Sequence, residues 1–400
     1  MNQNLPIQAD HLFCSEPNTS LRLSVIVPAK NEADFIVQAL DALRMQVDEQ
    51  GMPINASTYE VLVLANNCSD STYAICMEYK KQHPDFNLFA ACIQLEAPYA
   101  HIGTARRLLM DAAYRRLMSV AGAKGIIVST DADSEVAPDW VHHITSEIDG
   151  GADVIGGRIL PKNTPAISKR QHLRDVTYRF LKTRLESVID PRETDPWPRH
   201  FQCYGPSLAV TCEIYDKAGR LPVIPYLEDE EFRKALNRID AKIRHSPKVR
   251  IYTSGRLEGR VEFGFSVQLQ QWSDMSLRSE QQKVESLATL MFKFEFKNRL
   301  RSIWKLASTG GCSMINITRL ASWAKVNDSE LLKVFDESVY FESLWEKVDQ
   351  LLLQLDHPAL ALESIDSAIK TMRMHFNQKS TPRLRKLEGE LLQGTGAMAG

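Results

Sequence analysis

The stretch "GIIVSTDADSE" (residues 125–135) closes an apolar run with two carboxylates, Asp131 and Asp133. Its first half, Ile126-Ile127-Val128, has the β-branched composition of a short buried strand. Three readings of the carboxylates are open at this point. They are ligands for a divalent cation, a phosphatase nucleophile with its partner, or a solvated loop. The position of the motif in the chain decides among them.

The same pattern recurs on either side. "LRLSVIVPA" (21–29) reads as a buried strand stopped by Pro28, and Phe35, Ile36, Ala39, Leu40 and Leu43 then recur at helical spacing. "YEVLVLA" (59–65) is a second strand, followed by the loop chemistry of "NNCSDS" and a helix over 72–81. "NLFAACIQL" (87–95) is a third strand, and "GTARRLLMDAAYRRLM" (103–118) is an amphipathic helix. The opening stretch is the fourth strand, with Ser134 as a cap or turn residue and Pro138 at the start of a helix reaching about 149. "ADVIGGRI" (152–159) is a fifth strand. Strands alternating with helices predict an α/β fold with a mainly parallel central sheet. In such sheets ligands bind beyond the carboxyl ends of the strands. "AKNE", "NNCSD" and "TDADS" all fall at such ends.

The alternation stops near 160. A long basic helix over 168–189 follows, then the proline-rich "DPRETDPWPRH" (190–200), short strand and helix pieces over 205–219, an acid-rich helix start in 226–239 and a late strand over 248–256. From about 276 to 390 the apolar spacing is helical throughout, as in Leu331, Leu332, Val334 and Phe335.

Composition narrows the function classes. Hydrophobic residues make up 44% and charged residues 24%, with a formal net charge of −2, which gives no electrostatic basis for nucleic-acid binding. The seven cysteines are odd in number and contain no C-x-x-C, which argues for reduced thiols rather than a disulfide framework or zinc ribbon. The first twenty residues lack the charged start and apolar stretch of a signal peptide. No run approaches the roughly 18–20 apolar residues of a membrane span, so the expected location is cytoplasmic and any membrane contact peripheral.

The ordered set "VIVPAKNE", "VLVLANNCSDST", "GTARR", "STDADSE", "GPSLAV" and "YLEDEEF" resembles the family 2 inverting glycosyltransferases. The resemblance covers roughly 21–275 and implies a GT-A fold: a mainly parallel sheet flanked by helices, here with a helical C-terminal region. It divides the chain into a loose arm (1–20), a nucleotide-binding half (21–160), an acceptor-binding half (161–275), a helical extension (276–390) and a frayed tail (391–400). The extension would cover the acceptor cleft or pair two copies of the chain.

The resemblance also implies roles. Breaking a sugar–diphosphate bond leaves a strongly anionic group, which Mn²⁺ or Mg²⁺ neutralises through carboxylate and phosphate oxygens. Asp133 would be the direct metal ligand, with Asp131 at the ribose or metal shell. Pro28, Ala29 and Glu32 would meet the base and ribose, and Asp70 would lie on the second nucleotide loop. Asn66 stands where the family has an acid, and its amide would read the base edge instead. Arg106, rather than Arg107, would face the diphosphate beside the helix start at Gly103. Asp229 would be the general base, with Glu228, Gly205 and Ser207 on the acceptor side. Ser207 replaces the family's asparagine. His200 and Trp197 are weaker candidates for ligand contact. The partners implied are a nucleotide-diphosphate sugar, with UDP the family's usual carrier, and an unidentified acceptor hydroxyl.

"QLQQW" (268–272) faintly resembles the Q-x-x-R-W of processive polysaccharide synthases but lacks the arginine and the membrane helices. Three other classes compete. A haloacid-dehalogenase-type phosphatase would open its domain with the D-x-D. A sugar nucleotidyltransferase would need a glycine-rich loop after the first strand. A degenerate transferase acting as a binding protein would share every motif without turnover.

Overall fold

In the computed structural model, which describes residues 12–162, 166–254, 281–311 and 314–379, the strand β1 (Leu23–Ala29) is buried along its whole length. Its alternate residues feed two apolar layers. Leu23, Val25, Val27 and Ala29 pack with Ile36, Leu40 and Leu43 of α1 (Ile36–Arg44) and with Trp140 and Ile144 of α4 (Trp140–Asp149). Ile26 joins Leu108, Leu109 and Ala112 of α3 (Ile102–Val120) on the other face. Each fully buried aliphatic side chain of this kind contributes about 1.5–3 kcal/mol. Burial on both faces explains why β1 reads as a continuous apolar run rather than an alternation.

The other strands are β2 (Tyr59–Asn66), β3 (Leu88–Ile93), β4 (Ile126–Ser129), β5 (Ser134–Val136), β6 (Val154–Lys162), β7 (Leu208–Thr211) and β8 (Ile243–Ser254). They form one eight-stranded sheet in the order β3-β2-β1-β4-β7-β6-β8-β5. The pairs β1·β2, β2·β3, β1·β4 and β6·β8 are parallel, and β4·β7, β6·β7 and β5·β8 are antiparallel. The chain leaves β1 toward β3 and returns on its other side to β4. The β1/β4 boundary is therefore a topological switch point, where open α/β sheets bind ligands. Because β7 runs against β4, with Leu208 opposite Ser129, the turn that precedes β7 also arrives at this edge.

Beyond α2 (Thr72–Gln82), the chain adds α5 (Ala166–Ile189), α6 (Cys212–Lys217) and α7 (Glu228–Arg238). The C-terminal region holds α8 (Leu287–Ser308), α9 (Met314–Ala324), α10 (Asp328–Asp336), α11 (Phe341–Gln354) and α12 (Ile365–Lys379). A small ribbon of β9 (Lys283–Glu285) and β10 (Leu362–Ser364) joins it. Leu331, Phe335, Leu344 and Val348 fill its core.

Three expectations change. Ser134 opens a strand rather than capping a helix, pairing with Thr253. The late strand starts at Ile243, not near 248, because β6 gives it a parallel partner from its first residue. The end of the N-terminal arm is not loose: Phe13 is buried in the main core, and Ser15 O accepts from Arg116 Nη1. "QLQQW" and the tail 391–400 lie outside the described residues.

Candidate active site

Arg106 is the hub of the sheet edge. It sits on the first turns of α3, only 5% exposed, yet carries a charge. Its Nη2 donates to Asp131 Oδ1 at 2.9 Å, and its Nη1 donates to Glu228 Oε1. One guanidinium thus ties the loop after β4 to the start of α7. Arg107 points elsewhere, to Asp111 at 2.7 Å and the Leu221 carbonyl. Arg116, further along α3, is equally internal, since its guanidinium grips Glu60. Arg106, expected to face a diphosphate, clamps these two carboxylates together. Gly103 does not leave an open helix end either: a Cβ there would stand 2.0 Å from the Ile224 carbonyl oxygen.

The four acids of "LEDEEF" sort into two faces. Glu230 pairs with Arg233 and Glu231 with Lys234, one helical step onward. Glu228 is buried against Arg106. Asp229 is partly buried; its Oδ2 accepts from Gly205 N at 2.7 Å and its Oδ1 from Glu230 N at 2.8 Å. Just before them Leu227 adopts φ +59°, a left-handed conformation that costs a non-glycine residue about 1–2 kcal/mol. The kink starts the helix where Glu228 and Asp229 meet the sheet. Such local strain clusters at functional positions.

Gly205 is needed sterically, because a Cβ would lie 2.8 Å from Arg106 Cζ. Ser207 is 1% exposed and lies beneath the site rather than lining it, packed where Gly157 has no side chain. The resemblance puts it on the acceptor side; its hydroxyl lies where a Cβ on Gly157 would stand.

Asp131 and Asp133 stand on the turn from β4 to β5. Asp133 Oδ2 accepts from Ser254 Oγ at 2.8 Å. The Asp131 carboxyl is pushed up to about 6, by burial first, and further by the Asp133 and Asp229 carboxylates against the opposing pull of Arg106. A carboxylate pair beside a third carboxylate suits a hard divalent cation that completes its shell with phosphate oxygens and water.

The two nucleotide-type loops are cross-tied. Asn31 and Asn67 are both at positive φ: Asn31 Oδ1 accepts from Ser69 N of the second loop at 2.7 Å, and Asn67 Nδ2 ties that loop to the segment after β3, donating to Leu95 O at 2.8 Å. Pro28 and Ala29 end β1 beside Leu64 and Ala65, and Asn66 ends β2, 3% exposed. Glu32 is 8% exposed and its N–H donates to Thr72 Oγ1. Asp70 accepts from Ala33 N at 3.0 Å and from the Thr72 N–H and hydroxyl. Its oxygens thus brace the loop and start α2, a capping role.

His200 does not reach this edge's carboxylates. Both ring nitrogens are engaged, one with the Ser246 carbonyl at 3.0 Å and the other by Gln202 N at 3.0 Å, and burial pushes its pKa down to about 3. Trp197 packs edge-on against Phe180 of α5. These residues belong to a buried ionic network that sequence reading missed. Arg199 bonds Asp195 and Glu186, each at 2.7 Å. Arg301 takes Asp190 with Nε and Nη2 and also reaches Glu342, which accepts from Lys297 at 2.8 Å. The alternating charges of "DPRETDPWPRH", at no helical spacing, are the signal that was present.

Comparison with known proteins bears on residues 24–201, which match the description "Glycosyl transferase family 2". Asp229, Glu228, Gly205 and Ser207 lie beyond that match. A dolichyl-phosphate beta-glucosyltransferase of Drosophila melanogaster is 29% identical over 131 residues, which are 31% of this chain and 39% of the relative. The chain thus spans well under half of that protein's length. Among solved structures, S. aureus TarS 1–349 in complex with UDP is similar at TM-score 0.43 and 16% identity, covering 90% of this chain and 93% of that one. Mannosyltransferase PcManGT from Pyrobaculum calidifontis, in complex with GDP-Man and Mn²⁺, gives 0.40 and 15%, covering 85% and 84%. Among the described residues no helix is long and apolar enough to cross a membrane. The ordered motifs, the sheet edge that gathers them and the sequence match agree on residues 24–201, which match a family 2 glycosyltransferase domain.

Proposed function

We propose that the protein is a metal-dependent inverting glycosyltransferase that moves a sugar from a nucleotide-diphosphate donor, a UDP-sugar by the family's habit, to an acceptor hydroxyl in the cytoplasm. The observation that carries this reading is the convergence of Asp131, Glu228 and Asp229 around Arg106 and Gly205 at the carboxyl edge of β1 and β4. Asp133, with Asp131, would hold Mn²⁺ or Mg²⁺, and the ion would neutralise charge growing on the leaving diphosphate. Pro28, Ala29, Glu32 and Asn66 line the end of the strands where the nucleoside would lie. Asp70 supports them through the loop it braces.

Asp229 is the general base of this scheme. Backbone N–H groups fix both of its oxygens, and each retains a second acceptor site for the acceptor hydroxyl. As the hydroxyl oxygen attacks the anomeric carbon, its proton passes to Asp229. The bond from that carbon to the diphosphate breaks, and its electron pair leaves with the phosphate oxygen. One displacement inverts the centre. Glu228 and Arg106 hold the α7 start in place through this step.

The test is Asp229→Asn. Transfer is expected to fall by about 10²–10⁴-fold, the usual contribution of a positioned base, with nucleotide affinity in calorimetry unchanged. Lost nucleotide binding would move the base elsewhere. A wild-type chain that binds donor without transfer or donor hydrolysis would be a binding protein instead.

A further inference from the structure

A second set of cation-type ligands lies at the opposite end of the sheet. His142, in the first turn of α4, lines a cleft with Arg22, Leu23 and Thr58, which mark the amino ends of β1 and β2. Glu49, on the loop after α1, and the adjacent His142 and His143 bring one carboxylate oxygen and two imidazole nitrogens all within 4.8 Å of one another. Glu49 Oε1 is 3.5 Å from His142 Nε2, and the two imidazole rings meet at 65° with centroids 5.3 Å apart. Consecutive helical residues point about 100° apart, so two neighbouring histidines do not ordinarily converge. Here one ring nitrogen of each still lies within 4.8 Å of a Glu49 oxygen.

The parts around them are fixed. Gln46 ties the loop to α4, donating to Ala137 O at 3.0 Å and accepting from Val141 N at 2.9 Å, while Val47 N donates to Pro138 O at 2.8 Å. Asp48 Oδ1 accepts from the N–H groups of Gln50 and Met52, which shapes the turn bearing Glu49. Asp139 Oδ2 meets His143 Nε2 at 3.1 Å, the carboxylate–histidine contact that orients metal-binding imidazoles.

Two imidazoles and one carboxylate form a zinc-type set, whereas magnesium and calcium prefer oxygen throughout. Tetrahedral zinc, with bonds of about 2.0–2.2 Å, needs ligand atoms roughly 3.3–3.5 Å apart. Closing to that spacing takes side-chain movement of about 1 Å. The exposed Glu49 carboxylate leaves room for it. We propose that Glu49, His142 and His143 bind one zinc ion per chain, with water as the fourth ligand, pinning the loop after α1 to α4. This site is independent of the Asp131/Asp133 pair and of the transferase reading.

The test is calorimetric titration of zinc chloride into the metal-stripped full chain carrying Asp133→Asn, which weakens the other cation site. One zinc per chain is expected. Adding His142→Ala or Glu49→Gln should weaken it by about tenfold or more. Glu49 is exposed, so its substitution leaves the core intact, and circular dichroism checks folding of both variants. Absence of zinc uptake, or uptake unchanged by both substitutions, overturns the proposal.

Discussion

The sheet edge and the ionic network beneath it use the same side chains to opposite effect. At the edge, Asp131 faces two other carboxylates and one guanidinium, and its carboxyl is pushed up to about 6. In the network, Glu186 and Asp195 are no less buried, yet their carboxyls lie well below the usual range, and Glu342 is held down to about 2. Arg192, Arg199, Lys297 and His245 overcome the cost of burial there. The difference separates structure from function. A network that closes its charges internally needs nothing more. A carboxylate crowded by its own kind has something to gain from an incoming cation.

The largest effect should come from opening the closed region. Asp190 is fully buried beneath Arg301. Arg301→Met leaves it unpaired, which should cost about 3–5 kcal/mol in chemical denaturation, with transfer per folded molecule unchanged. An unaltered denaturation midpoint would mean that the network adds nothing.

Asp131→Asn probes the crowded region. The folded pKa is about 6, above the unfolded value of about 3.9. Between these values the folded state keeps a proton that the unfolded state has released. Wild-type stability therefore falls as pH rises through this window and loses nothing more above it. The variant lacks the group, so in chelator its stability relative to wild type should climb from about pH 4 to about pH 7. Thermal unfolding across that range reads the difference; a flat difference would show that the crowding is relieved by other means.

The smallest effect is expected at Leu227→Gly. It removes the cost of a left-handed leucine and should raise stability by up to about 1 kcal/mol. A loss of transfer together with that gain would show that the rigid kink, not only the side chains of α7, positions Asp229.

The fold was readable where local signals suffice. β1, β2 and β4 are short β-branched runs with polar loops at one end, and their order alone predicted a shared edge. What failed to show depended on partners far away in the chain. Arg106 reads as a diphosphate contact, and nothing local shows that Glu228, 122 residues on, also bonds it. Asp70 reads as part of the second nucleotide loop, and its bond from Ala33, 37 residues away, has no local signal. Ser207 sits in a family motif, but sheet pairing buries it. The four acids of α7 share one composition; the family resemblance picks Asp229, and its bond from Gly205 N comes from 24 residues away. His142 and His143 carried no signal, because Glu49 lies on a different element.

The crowded carboxylates are expected to hold a cation and, through it, a nucleotide diphosphate. Thermal shift with UDP, GDP and dTDP, each with Mn²⁺ or Mg²⁺, tests it directly. One nucleotide should stabilise the wild-type chain only when metal is present, and Asp133→Asn should abolish the shift. Stabilisation by no nucleotide, or an equal shift in the Asp133→Asn chain, would contradict it.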